Sequence, residues 1–197
     1  MNNAISKKYL SVIQKFDEDI SSHVKQLETE IANIKFDPSK AFEFVLDDTF
    51  NSTVFKQQPK QKGLYLFEVD LDSMYPNSKK RDTRIKKFAD EWQMKKYNSF
   101  FSSSIIKKRL KTYEKYDKQW LPMYLGKNHD VYKRLTEHIE LSPQKHTYAM
   151  KLRHRTNLNS MKFRVSVIEL DVENYDFIVP HLERALREEY CPIIGKQ

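Results

Sequence analysis

A chain of 197 residues with 35 Lys and Arg against 27 Asp and Glu carries a net charge of +8, enough length for one well-buried domain with an appended helical segment but cramped for two. The basic surplus favours a polyanionic partner such as nucleic acid. The single cysteine, Cys191, excludes an internal disulfide and points to a reducing, cytoplasmic setting, and the absence of any window near the ~20 apolar residues of a spanning helix argues against a membrane protein.

The first element is a long amphipathic helix. Between Ile5 and Phe36, Leu10, Ile13, Phe16, Ile20, Val24, Leu27, Ile31 and Ile34 recur at spacings of three and four, which places them on one helical face. From Ile20 to Ile34 the pattern fits the seam of a coiled coil or of a helix docked on a domain. Docking is favoured, because so few heptads seldom hold a dimer unaided. Pro38 breaks the pattern, "SKAFEFVLDDTF" reads as a second short helix, and "KQQPKQK" is a polar linker. Residues 1–60 are therefore expected to be a helical arm and linker, and 61–197 the main domain.

"GLYLFEVD", residues 63–70, is aromatic and β-branched enough to be a strand, and "WLPMYL", residues 120–125, reads as another. Between them, over about 72–118, lies a basic insertion in which Phe88, Trp92, Phe100, Phe101, Ile105, Ile106 and Leu110 fall at mostly helical spacing. Two helices broken near "NSFFSSS" are expected. "HDVYKRLTEHI" is helical and closed by Pro143, whereas "HTYAMKLRHRTN" is ambiguous, with Tyr148, Ala149 and Leu152 supporting a helix. "FRVSVIELD" is the clearest strand, and "YDFIVPHLERALREEY" is the closing helix, with Pro180 near its first turns. The expected fold is α/β in the α+β sense, a small three-stranded antiparallel sheet flanked by helices.

Gly63-Leu64-Tyr65 on the first strand, Tyr124-Leu125-Gly126 on the second, Arg134 on the next helix, and Glu183 on a later helix shortly before Pro192 form an ordered set. In that set the chain resembles the GIY-YIG nuclease family, over residues 63–70 and 120–195. His138, four residues after Arg134, is similar to the homing and restriction-type members. Three features depart from the family pattern. Leu64 and Leu125 stand where Ile is usual, residues 66–123 replace a short hairpin turn, and Gly195 stands where an Asn commonly ties down the C-terminal tail.

The resemblance implies metal-dependent hydrolysis of DNA phosphodiester bonds, with restriction, phage defence, mobility and repair all open as the role. RNA stays open as a substrate. Glu183 would ligate a single Mg²⁺, with Mn²⁺ as an alternative, the rest of the shell coming from water and phosphate. Arg134 would clamp a non-bridging oxygen. Tyr65, Tyr124 and Lys127 would order or deprotonate the water. A free Tyr titrates near ~10, so it needs Lys127 and a metal-bound water to lower its proton affinity. His138 would hydrogen-bond Tyr65 or act as acid or base itself, and which group is the base stays open.

Because the chain ends at Gln197, target selection is expected from the N-terminal arm or from the insertion, whose Lys79, Lys80, Arg81, Lys107, Lys108 and Arg109 suit a phosphate backbone. Two rival readings stand beside this one. One is a catalytically inactive nucleic-acid-binding module with the same fold, and the other an interaction protein that forms a homodimer through its N-terminal helix.

Overall fold

The computed structural model describes residues 7–75, 80–97, 99–113 and 119–195. The chain divides into two compact units, residues 1–35 and 36–197. The first consists of helix α1 (Lys7–Glu30) and a 3₁₀ turn at Ile31–Asn33. On α1 the apolar stripe is open at its N-terminal half, where Tyr9, Leu10, Val12, Ile13 and Phe16 are exposed.

The second unit is an α+β fold built on a four-stranded sheet, not a three-stranded one. The extra strand is β1 (Phe42–Val45), which pairs antiparallel with β4 (Lys162–Glu169) in a segment expected to be helical. Phe42 and Phe44 alternate with Glu43, the two-residue period of a strand. Tertiary pairing decides between the two readings: Phe44 stacks on Phe163 at 5.6 Å and Glu43 meets Lys162 at 2.6 Å. The main fold thus begins at Phe36, well before the polar linker.

Strand order is β1-β4-β2-β3, antiparallel throughout, where β2 is Gly63–Asp70 and β3 is Trp120–Asn128. All of β2 is buried, which is why its apolar alternation is poor: a strand covered on both faces has no solvent side to leave polar. Register slips between Phe67 and Glu68, which face Tyr124 and Pro122, so Met123 is an extra residue. A bulge of this kind suits Pro122, which has no N–H for a ladder. It also turns both Met123 and Tyr124 into the same core cluster.

Helix α6 (Val131–Glu140) lays Val131, Leu135 and Ile139 into the core with Tyr65 and Phe67. Its start is fixed by Asp130, whose side chain accepts from the Lys133 N–H. Helix α7 (Tyr175–Tyr190) packs along β3 and the start of β2, and the Tyr175 hydroxyl donates to the Gly63 carbonyl at 3.0 Å.

Within the insertion, α3 (Leu71–Met74) and α4 (Arg81–Trp92) precede α5 (Lys107–Tyr113), with the helical break falling around "NSFFSSS" as expected. The ambiguous segment after α6 is not an α-helix. It forms two 3₁₀ turns, Leu152–His154 and Thr156–Leu158, and Lys151 adopts a left-handed backbone, φ 56°. Two buried cations explain this course. Lys151 Nζ donates to the carbonyls of Phe101, Lys145 and Pro143. Arg155, 2% exposed, donates to the carbonyls of Met150 and Trp92 and to Ser102 Oγ, with its guanidinium 3.9 Å from the Trp92 ring centre.

The C-terminal tail is tied down by its backbone. Ile193 and Ile194 donate N–H bonds to Pro122 and Met123 at the edge of β3, and on its other side the tail meets Ile105, Ile106 and Ser104. Gly195 costs the tail no anchor, because main-chain bonds supply what a side chain there was expected to give.

Candidate active site

The two motif glycines are required by close approach. A Cβ at Gly63 would lie 2.2 Å from the carbonyl oxygen of Ile168, on the neighbouring strand β4. At Gly126 a Cβ would lie 2.5 Å from Tyr65 Oη and 2.7 Å from its Cζ. Gly126 faces Tyr65 across the β2–β3 pair, so the missing side chain is what leaves room for the tyrosine ring.

Tyr65 is the centre of a buried group. Its ring stacks near that of Tyr124, with centroids 6.1 Å apart, and the Tyr124 ring lies 4.7 Å from that of His138. His138 Nδ1 accepts from the Met150 N–H at 3.1 Å, which assigns the imidazole proton to Nε2. That N–H donates to Tyr65 Oη at 3.0 Å. Burial, with the nearby Arg134 charge, holds the His138 pKa well below its ordinary value, so the ring is neutral. With one nitrogen occupied by a backbone donor and the other carrying its proton toward Tyr65, His138 is a positioning residue and not a general base.

Burial pushes the Tyr65 pKa well above the usual range for a phenol, helped by Tyr124, while the nearby Arg134 guanidinium opposes the shift. The cation that favours a Tyr65 phenolate is therefore Arg134, the role expected of Lys127. Arg134 extends from α6 and is held by Glu137, with Nη1 2.6 Å from the carboxylate. Its own pKa is raised, burial being outweighed by Tyr65, Glu137 and Tyr124.

Lys127 lies elsewhere for a simple reason. It pairs with Leu64, one residue out of step with Tyr65 and Gly126, and neighbours along a strand point to opposite faces. There it meets Glu183 at 3.8 Å. Glu183 also receives Arg187, one turn on in α7, at 2.9 Å, and Arg187 donates to the Leu125 carbonyl on β3. The two groups of charges share Tyr65, whose hydroxyl feels both Arg134 and Glu183.

Among the described residues no group of three or more His, Cys, Asp or Glu is arranged to hold a metal. Glu183 offers one carboxylate, already neutralised by Lys127 and Arg187. That donor set fits a hard ion which keeps its waters and arrives with phosphate oxygens, and not a metal bound by protein alone.

The basic residues of the insertion divide. Lys80, just before α4, and Lys107 and Lys108, in the first turn of α5, are exposed. Arg109 donates to the Pro192 carbonyl at 2.7 Å, so its work is to hold the tail. Lys79 and the side chain of Arg81 lie outside the described residues. Arg187 and Glu137, which clamp the two central charges, were visible in the sequence only as i,i+4 and i,i+3 partners of Glu183 and Arg134. The backbone N–H of Met150, which sets the His138 tautomer, left no signal in residue type. No family model, curated protein or solved structure matches the chain.

Proposed function

We propose that the chain is a metal-dependent nuclease of GIY-YIG type that hydrolyses phosphodiester bonds in DNA. The observation that carries this reading is the Tyr65 hydroxyl, which receives the His138 N–H at 3.0 Å and lies in the field of both the Arg134 and the Glu183 charge. At Glu183 a Mg²⁺, when bound, would supply Lewis-acid stabilisation of the phosphoryl and leaving oxygens.

The chain's own residues do the rest. Arg134 binds a non-bridging oxygen with a fork already aimed by Glu137. Tyr65 Oη orients the attacking water and takes its proton when ionised, the resulting phenolate being stabilised by His138 Nε2–H and Arg134. Tyr124 packs the Tyr65 ring in place. Lys127 and Arg187 hold the Glu183 carboxylate until phosphate arrives. DNA is the target class, and a cytoplasmic setting belongs to the same proposal. The exposed apolar residues of α1 support a homodimer through that helix, and among the described residues no helix is long and apolar enough to cross a membrane.

Glu183, neutralised on both sides, also favours a second reading, a module that binds nucleic acid without cutting it. Incubation with supercoiled plasmid and Mg²⁺, with and without chelator, separates the two. Chelator-sensitive nicking or linearisation is expected, and an intact plasmid with Mg²⁺ or Mn²⁺ under binding conditions would leave the non-cleaving module. Because burial keeps the proton on Tyr65, cleavage should climb with pH between about 7 and 9, by up to about tenfold per unit, without a plateau at neutrality. A flat profile would remove Tyr65 as the base.

A further inference from the structure

Beside α6 two cavities share Lys60, Asp130, Lys133 and Glu137 in their walls, and the smaller reaches Arg134. One, of about 580 Å³, lies between α6 and the segment following α2 (Thr53–Lys56), and the other, of about 230 Å³, continues to Arg134. Lys60 and Lys133 line both, Lys56 lines the larger, and His129 the smaller. The wall is fixed: the Val131 N–H donates to the Gln61 carbonyl at 2.9 Å, so the loop carrying Lys60 is pinned to the start of the helix that carries Lys133 and Arg134.

Charge along this groove is uneven in a useful way. Of its acids, Asp130 is occupied in capping α6, Glu137 pairs with Arg134, and Glu140 pairs with Arg153 at 3.0 Å. Lys56, Lys60 and Lys133 are exposed, and among the described residues none of them forms an ion pair. Three lysines, against the one carboxylate of Asp130 that no cation meets among the described residues, therefore give a net positive lining to a channel leading to the guanidinium that is to meet the scissile phosphate.

We propose that this groove, and not the basic helices of the insertion, seats the phosphates of the polynucleotide strand flanking the cleaved bond, with Lys56, Lys60 and Lys133 as its contacts. The assignment rests on the phosphodiester chemistry proposed at Arg134. Because lysine meets phosphate as a point charge and reads no base, the groove grips any sequence.

The test is fluorescence anisotropy of labelled duplex DNA, duplex RNA and single-stranded DNA across a salt series, in chelator so that nothing is cut. Replacing Lys56, Lys60 and Lys133 together by Gln should weaken binding and make log K against log[salt] shallower, by about 0.9 for each lysine that meets a duplex phosphate. Lys107→Gln with Lys108→Gln should leave most of the slope in place. All these side chains are exposed, and matching urea midpoints confirm intact folding. An unchanged slope in the groove variant overturns the groove while leaving the reaction standing. A reduced slope in a chain that never cuts with Mg²⁺ keeps the groove and removes the reaction. A wild-type chain that binds none of the three probes overturns both, and the arms show whether duplex DNA, RNA or a single strand fits best.

Discussion

The two groups of side chains that share Tyr65 stand in opposite states on their two sides of the candidate site. On one, Tyr65 and His138 are almost wholly buried, with hydrogen bonds that fix even the imidazole tautomer. On the other, Glu183, Lys127 and Arg187 keep partial contact with solvent and neutralise one another. A buried polar group must be satisfied before any substrate arrives, because an unmet donor there costs about 1–3 kcal/mol. Partly exposed ions can wait, since water covers whatever a partner leaves. The first side is complete as it stands, and the second can exchange its partners for those of the proposed substrate.

The sharpest way to break this contrast is to remove one charge from each side. Arg134→Ala and Glu183→Gln should each lower cleavage about 10²–10³-fold, or about 2.7–4 kcal/mol of transition-state stabilisation. Glu183→Gln should leave nucleic-acid affinity equal or slightly raised, while Arg134→Ala should weaken it, because Arg134 meets phosphate in the ground state as well. Anisotropy and plasmid cleavage on the same samples check the pair, and equal affinities would erase the distinction.

Next come the glycines. Gly126→Ala and Gly63→Ala should each destabilise by about 1–3 kcal/mol in urea melts, from overpacking. Gly63 should cost more, because its clash is with a backbone oxygen, while the Tyr65 ring can tilt. Gly126→Ala should also depress cleavage, and Gly63→Ala should do so less.

A smaller effect is written in pH. His138 is neutral in the folded chain but protonates near ~6.5 when unfolded. Below that value the unfolded state binds more protons, so stability is full above it and falls as pH drops toward the folded-state value, by up to about 1.4 kcal/mol per unit. His138→Gln should flatten that part of the profile measured by urea melts at stepped pH. The smallest effect belongs to the exposed side: Arg187→Gln should change stability by less than about 1 kcal/mol while altering the metal concentration needed for cleavage. A large loss of stability instead would mean that the Leu125 carbonyl depends on that guanidinium.

Strands β2 and β4 and helices α6 and α7 were legible because aromatic and β-branched runs, or three-and-four spacing, survive in the sequence whatever surrounds them. Segment 42–45 was misread because two phenylalanines become a strand only when β4 offers them Phe163 and Val165. The loop around Lys151 and Arg155 was misread for a related reason, since each cation is committed to carbonyls contributed by distant segments. Tyr65, Arg134 and His138 were brought together as expected. The placement of Lys127 depended on strand register, which spacing along the chain leaves open until the pairing is known.

The buried guanidinium of Arg155 and ammonium of Lys151 have one more consequence. Both take their acceptors from the insertion, at Trp92, Phe101 and Ser102, as well as from the loop that hosts them. The insertion is thus no detachable decoration on the sheet. A minimised chain that joined β2 to β3 by a short turn would take from Lys151 its Phe101 acceptor and from Arg155 its Trp92 and Ser102 acceptors, leaving each cation only part of its shell. Any attempt to trim this protein to its four-stranded sheet must also retire Lys151 and Arg155, replacing both with apolar residues in the same step.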